Sequence, residues 1–168
     1  SGDNGNSGYD VIYKGSLGVD GLSIVAGQTK IDQDKIKGAT DPVDIVLTKL
    51  GVGYNFGSFA VGVEMQDSET DSAEDAAAGT QGQKDEEDSV VVGATMALSD
   101  KVSLGIARYM SERTDNGVKD TDEETTNMVS LGYSLGGIAL DINYAQTENF
   151  NFTNQDRDSL QIRTIQKF

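Results

Sequence analysis

Residues 59–66 read Phe-Ala-Val-Gly-Val-Glu-Met-Gln, and residues 138–145 read Ile-Ala-Leu-Asp-Ile-Asn-Tyr-Ala. In the first stretch Phe59, Val61, Val63 and Met65 alternate with Ala60, Gly62, Glu64 and Gln66. In the second, Ile138, Leu140, Ile142 and Tyr144 alternate with Ala139, Asp141, Asn143 and Ala145. A period of two puts the aliphatic residues on one face of a β-strand and the small or polar residues on the other. A face that carries charges and amides needs water beside it.

The same alternation recurs along the chain in segments of about ten residues, the length of a tilted strand that crosses a bilayer. It predicts nine strands, near 8–17, 22–31, 43–54, 58–67, 88–98, 102–112, 125–135, 138–148 and 158–168. The connections between them alternate in length. Gly18 to Gly21, Asn55 to Gly57, Ser99 to Lys101 and Gly136-Gly137 are tight turns rich in Gly, Asn, Ser or Asp. The other connections, near 32–42, 68–87, 113–124 and 149–157, are long and polar, and 1–7 reads as part of a further one. An antiparallel transmembrane β-barrel segregates short turns to one side and long loops to the other, the long ones external. The competing reading is a soluble antiparallel sandwich, whose apolar faces would point into a core.

Composition bears on that choice. Only 36% of the 168 residues are apolar, there are 20 Gly and one Pro, and Cys, His and Trp are absent. Such a chain has few means of building a dry interior. With 28 acidic against 13 basic residues the formal charge is -15, which excludes a phosphate-binding surface for nucleic acid. Periodic β-branched and aromatic residues set disorder aside. The lack of Cys excludes a disulfide scaffold and a thiolate metal site. No run approaches the ~18 uninterrupted apolar residues of a membrane-spanning helix, so a membrane protein with this sequence crosses with strands. The opening Ser-Gly-Asp-Asn-Gly-Asn-Ser-Gly has no signal-peptide features, and a mature form or an internal fragment is expected.

The chain closes on Asp-Ser-Leu-Gln-Ile-Arg-Thr-Ile-Gln-Lys-Phe, an alternating strand ending at Phe168. A terminal Phe after such a strand resembles the assembly signal of Gram-negative outer-membrane proteins. Segments 7–28, 101–112 and 130–148 resemble the body of a general diffusion porin of the alphaproteobacterial type. The resemblance implies a barrel of about sixteen strands in the bacterial outer membrane, commonly a homotrimer, with both chain ends on the periplasmic side. Counting back nine strands from a periplasmic Phe168 leaves residues 1–7 external. The expectation is therefore a C-terminal barrel portion lacking about seven strands, closed by an N-terminal portion or a second chain.

No catalytic constellation is present: without His or Cys a nucleophile lacks its usual bases, and no nucleophile elbow, phosphate loop or dinucleotide fingerprint occurs. Function is expected to be passive diffusion of small hydrophilic solutes and ions, with no enzymatic step and no cofactor. The acidic clusters Asp67, Glu69, Asp71, Glu74, Asp75 and Asp120, Asp122, Glu123, Glu124 offer hard oxygen ligands. They match no calcium-loop spacing, so weak divalent-cation attraction is the most they suggest. Parity assigns Lys14, Lys49, Glu64, Asp141, Asn143, Gln161 and Arg163 to a water-filled lumen, with outer-membrane lipid against the other face. Gly51, Gly53, Gly62, Gly93, Ala97, Gly105 and Ala107 also point inward and favour an open bore. A second reading is a small closed barrel with a structural or adhesive role, for which the acidic external loops are the working part.

Arg108 breaks the pattern, because it shares parity with Val102, Leu104 and Ile106 on the lipid side. A bulge before it would turn it inward, and a place near the interface would let it snorkel.

Overall fold

A computed structural model describes residues 6–33, 43–72, 84–115 and 117–166. Ten strands form in chain order: β1 (Asn6–Gly15), β2 (Leu22–Gln33), β3 (Val43–Asn55), β4 (Phe59–Ser72), β5 (Lys84–Ala97), β6 (Val102–Asp115), β7 (Val118–Lys119), β8 (Glu124–Leu135), β9 (Ile138–Glu148) and β10 (Arg157–Gln166). A single 3-10 turn, Phe150–Phe152, lies between β9 and β10. Apart from two-residue β7, which hangs on the end of β6, the strands follow one another in an antiparallel sheet without a crossover. This is the all-β antiparallel architecture that the alternation predicts.

The register shows what each face carries. Tyr54, Val61, Ala94, Ile106, Val129, Tyr144 and Leu160 are successive cross-strand partners from β3 to β10, so they form one row on one face. The next row on that face runs Met96, Leu104, Leu131, Ile142, Ile162. Among the described residues no apolar side chain is buried, whereas Leu50, Met65, Ile106, Val129 and Leu160 are more than half exposed. A soluble sandwich would hide these rows at ~25 cal/mol per Å² of apolar surface removed from water. Here they form an outward band that only hydrocarbon can cover. Among the described residues no helix is long and apolar enough to cross a membrane; the strands are the crossing elements.

The short turns sit together at one end. At the β3–β4 turn the side chain of Asn55 accepts a hydrogen bond from the Gly57 amide at 2.7 Å, and Gly57 has φ 94°, a conformation open to glycine at little cost. Between β5 and β6 the hydroxyl of Ser99 accepts from the amides of Lys101 and Val102 at 3.2 and 3.1 Å. Aromatic rings gather at this end: Tyr54 and Phe56 lie 4.6 Å apart and Phe56 and Phe59 6.2 Å apart between centroids. Aromatic residues at this level match the girdle that barrels place at a membrane interface.

The other edge of the apolar band slants. On β4 and β5 the first charged positions on this face are Asp67 and Asp88, which are direct partners; on β8 and β9 the band already gives way at Asn127 and Gln146, also partners. Arg108 pairs with Val92 on one side and Asn127 on the other, so it sits on that slant. Its register with β5 runs from Asp85↔Asp115 to Ala97↔Ser103 without a skipped residue. There is no bulge, and Arg108 stays on the apolar face, with Met110 and Val90 beyond it on the β5 side and polar Asn127 beside it on the other. The slant itself is what tilted, staggered strands produce when a flat membrane cuts across them.

β4 and β5 keep pairing past the apolar band, from Asp67 to Asp71 against Lys84 to Asp88. Both faces are polar there, so the alternation that marks a strand in sequence has no amplitude. β1 and β10 are the two edges, and among the described residues neither has an outer partner.

Candidate pore-lining face

The register places all seven predicted lumen residues on the face opposite the apolar band. Lys14 partners Val25, Val25 partners Gly51, and Gly51 partners Glu64, with Lys49 two residues from Gly51 on the same face. The row continues from Glu64 through Val91, Tyr109, Thr126 and Thr147. Thr147 shares its face with Asn143 and Asp141, which partner Gln161 and Arg163.

These residues do not form one cluster. Near β3 and β4 the ammonium of Lys49 lies 2.7 Å from Oε1 of Glu64, beside a hollow of about 300 Å³ shared with Asp10 and Lys14. Near β9 and β10 the guanidinium of Arg163 donates to Oδ2 of Asp141 from Nη2 at 3.0 Å and from Nε at 3.3 Å. Each pair is well exposed, so each contributes at most about 1 kcal/mol to stability. Their effect on ions nearby is larger than their effect on the fold, since opposite charges fixed on one wall orient water and ions along it.

On the short-turn side of the Lys49–Glu64 pair lies a row of residues with almost no side chain: Ser23, Gly53, Gly62, Gly93 and Ala107 are successive partners across five strands. They floor a trough of about 460 Å³ on the polar face. The wall there is little thicker than its backbone.

A second polar group lies toward the long-loop end, and parity alone did not single it out. Glu87 Oε1 accepts hydrogen bonds from the hydroxyls of Tyr109 at 3.0 Å and Ser111 at 2.7 Å. Ser111 is 1% exposed and is the most deeply buried side chain described. Above it Arg113 donates from Nε to Oδ2 of Asp120 at 2.8 Å and stacks 4.5 Å over the ring of Phe152. Arg157 stacks 4.8 Å over Phe150, and the carboxylate of Glu124 accepts from the amide of Asn151.

Arg113, Glu124 and Arg157 all belong to the polar face by register. The segment 149–156 that they hold therefore leans over that face. Four of its residues, Asn149, Asn151, Phe152 and Asn154, have left-handed φ of 52–56°, which side chains adopt only when contacts offset the strain. Here Asn149 accepts from the Asn154 amide at 2.7 Å and donates to the Asp122 carbonyl at 2.9 Å. The signal for this overhang was the Asn-Phe-Asn-Phe run itself, but its direction depends on partners on β6 and β8.

Among the described residues no group of three or more acidic side chains is placed to hold a metal ion. Glu74 and Asp75 lie outside the described residues, as do Phe168 and the connections 34–42 and 73–83.

Residues 1–151 match the family model for Gram-negative porins. No curated protein matches the chain. Among solved structures, outer-membrane-expressed OmpT of Vibrio cholerae aligns with TM-score 0.69 at 15% identity, over 85% of this chain and 46% of that one. OmpT of Vibrio cholerae folded in vitro gives 0.70 at 15% identity, over 85% and 45%. Its loop L8 deletion mutant gives 0.69 at 15% identity, over 95% and 53%. At this identity the likeness is one of fold, an outer-membrane β-barrel, and the chain spans about half the length of those structures. The match over most of the sequence, with the apolar band and the polar wall behind it, makes this chain a member of the Gram-negative porin family, located in the outer membrane.

Proposed function

We propose that this chain forms the C-terminal wall of a general diffusion pore, through which small hydrophilic solutes and ions pass without chemical change and without a cofactor. One observation carries the reading. The same sheet has a broad apolar band on one face and, on the other, a polar wall that carries opposite charges and a trough of Gly, Ala and Ser. A filled structural barrel needs bulky inward groups, whereas this trough leaves room for a bore. Among the described residues the outer edges of β1 and β10 have no partner, which calls for further strands, since unpaired backbone groups are prohibitive in hydrocarbon. An N-terminal portion supplies them in this reading, and the closed barrel assembles as a trimer with its long loops external.

Planar-bilayer recording on the full-length protein tests it: stepwise conductance is expected, and a properly assembled protein that stays silent overturns the reading. In the same scheme Phe168 is the assembly signal. Its deletion is expected to lower the heat-modifiable, membrane-inserted fraction far more than the conductance of the protein that does insert; undiminished assembly refutes that role.

A further inference from the structure

The outward face holds one site that a diffusion pore does not require. Val52, Val61, Val63, Ala94, Ile106 and Val129 line a groove of about 990 Å³ on the apolar face, with Arg108, Met110 and Asn127 toward its loop end. Ala94 lies between Val61 and Ile106 in one cross-strand row, so the floor dips where its neighbours rise. Below Arg108, in the direction of the short turns, its own strand presents Ile106, Leu104 and Val102, all apolar, over a run of ~20 Å.

Arg108 is exposed, and no described carboxylate pairs with it. Its direct partners are Val92 and Asn127. A guanidinium at the edge of hydrocarbon is costly to leave without partners. It is stable there only if an anion or water meets it. The other cations on this face stand outside the groove: Lys30 on β2, and Lys84 on β5, which Glu69 and Glu86 hold. A cation here has the opposite sign from the projecting Asp67, Glu69, Glu86 and Asp88 on the same face.

We infer that this groove binds a single phosphate-bearing membrane lipid of net negative charge. Its acyl chains lie along Ala94 and the flanking valines. Its phosphate accepts a forked pair of hydrogen bonds from Arg108 and a further one from the amide of Asn127. Planar guanidinium groups recognise phosphate in this bidentate way, which a lysine ammonium does not reproduce. The occupant is a lipid and not a free anion, because the apolar groove and the cation adjoin and only a molecule with both parts satisfies both. The inference depends on the barrel and its outward face, and not on what the lumen conducts.

Native mass spectrometry of the assembled full-length protein, offered phosphatidylglycerol and phosphatidylcholine in equal amounts, reads the site directly. Retention of phosphatidylglycerol is expected to exceed that of phosphatidylcholine about tenfold, the ratio that a charge-assisted hydrogen-bond pair supplies. Arg108→Gln should bring the ratio close to one, and Arg108→Lys should leave it in between. Asn127→Ala should lower it severalfold, and serves if Arg108→Gln fails to assemble. Equal retention by the parent protein overturns the proposal, as does a preference that survives Arg108→Gln or Asn127→Ala. Displacement of the lipid by inorganic phosphate would make the site one for a free anion. Loss of subunits from the assembly in Arg108→Gln, with lipid retention unchanged, would make the face a contact between copies. Either result refutes the lipid.

Discussion

The membrane-crossing halves of β4 and β5, Phe59 to Met65 against Val90 to Met96, differ from the projecting halves, Asp67 to Asp71 against Lys84 to Asp88, in nearly everything except their hydrogen-bond ladder. In the lower half the outward pairs are Val61 with Ala94, Val63 with Val92 and Met65 with Val90. In the upper half they are Asp67 with Asp88 and Glu69 with Glu86, like charges directly opposite one another, an arrangement that works against pairing. The ammonium of Lys84 reaches both Glu69 and Glu86 and offsets part of the repulsion. A slip of one residue would turn the lower half's aliphatic row into the lumen, so register is fixed there. The upper half inherits it by continuity, and its side chains are free to serve the solution.

The largest test of this division is a charge placed in each half. Val61→Arg should destabilise by about 2–4 kcal/mol if it reaches mid-bilayer, and should lower the assembled, heat-modifiable fraction. Glu69→Arg relieves a like-charge pair and should stay within about 0.5 kcal/mol, as surface changes do. Urea unfolding from vesicles measures both, and equal effects would break the comparison.

Next comes the electrostatic role of the upper half. Converting Asp67, Glu69, Glu86 and Asp88 to their amides should weaken cation preference at low salt, where charge reaches ~30 Å at 0.01 M, and leave it unchanged at 1 M, where it reaches ~3 Å. Reversal potentials across a salt gradient give the answer. A parent protein that prefers anions would mean that Lys14, Lys49 and Arg163 govern the bore.

A smaller effect sharpens the contrast by pH. Burial, and then the hydrogen bond and charge of Asp88, hold the Asp67 carboxyl above its ordinary range. Asp85 is raised too, by burial and then by Asp115, with Arg113 opposing. A carboxyl whose pKa is higher in the paired strands takes up protons as they pair. Pairing is then favoured by acid, and is weakened as pH rises through the raised values. Amide exchange at Glu69 and Glu86, corrected for its intrinsic pH dependence, should slow on acidification toward the carboxylate range, while Val61 and Ala94 stay unchanged. Asp67→Asn should flatten most of the response. Smallest of all, a double-mutant cycle on Lys49 and Glu64 should give a coupling of no more than about 1 kcal/mol.

The crossing half of this ladder is legible in the sequence because membrane and lumen impose opposite demands on alternate residues. Phe59 to Gln66 shows the pattern without help from any other part of the chain. The projecting half is not legible in that way: Asp67 to Asp71 is polar at every position, and pairing is settled by residues below it. Parity identifies Arg108 as an exception, but its resolution needs the partners Val92 and Asn127, which are far away in sequence. The charges of the polar face follow from parity, yet their separation into the Lys49–Glu64 and Asp141–Arg163 pairs follows only from register. The overhang of 149–156 was the least visible part, since its direction rests on Arg113 and Glu124, drawn from other strands.

The trough of small residues has a consequence for how such a protein can change over generations. A methyl carbon added at Gly62 would meet the Val52 carbonyl oxygen at 3.5 Å and the Gly53 Cα at 3.7 Å, which is ordinary contact. At Gly53 the nearest atom would be the Ser23 hydroxyl at 2.7 Å, the end of a side chain that can rotate away. Both positions can therefore gain bulk toward the water without disturbing the ladder or the lipid-facing row behind it. Calibre and wall are separable traits in this sheet: single codon changes along one row can narrow the passage in steps, while selection for membrane residence acts on a different set of residues.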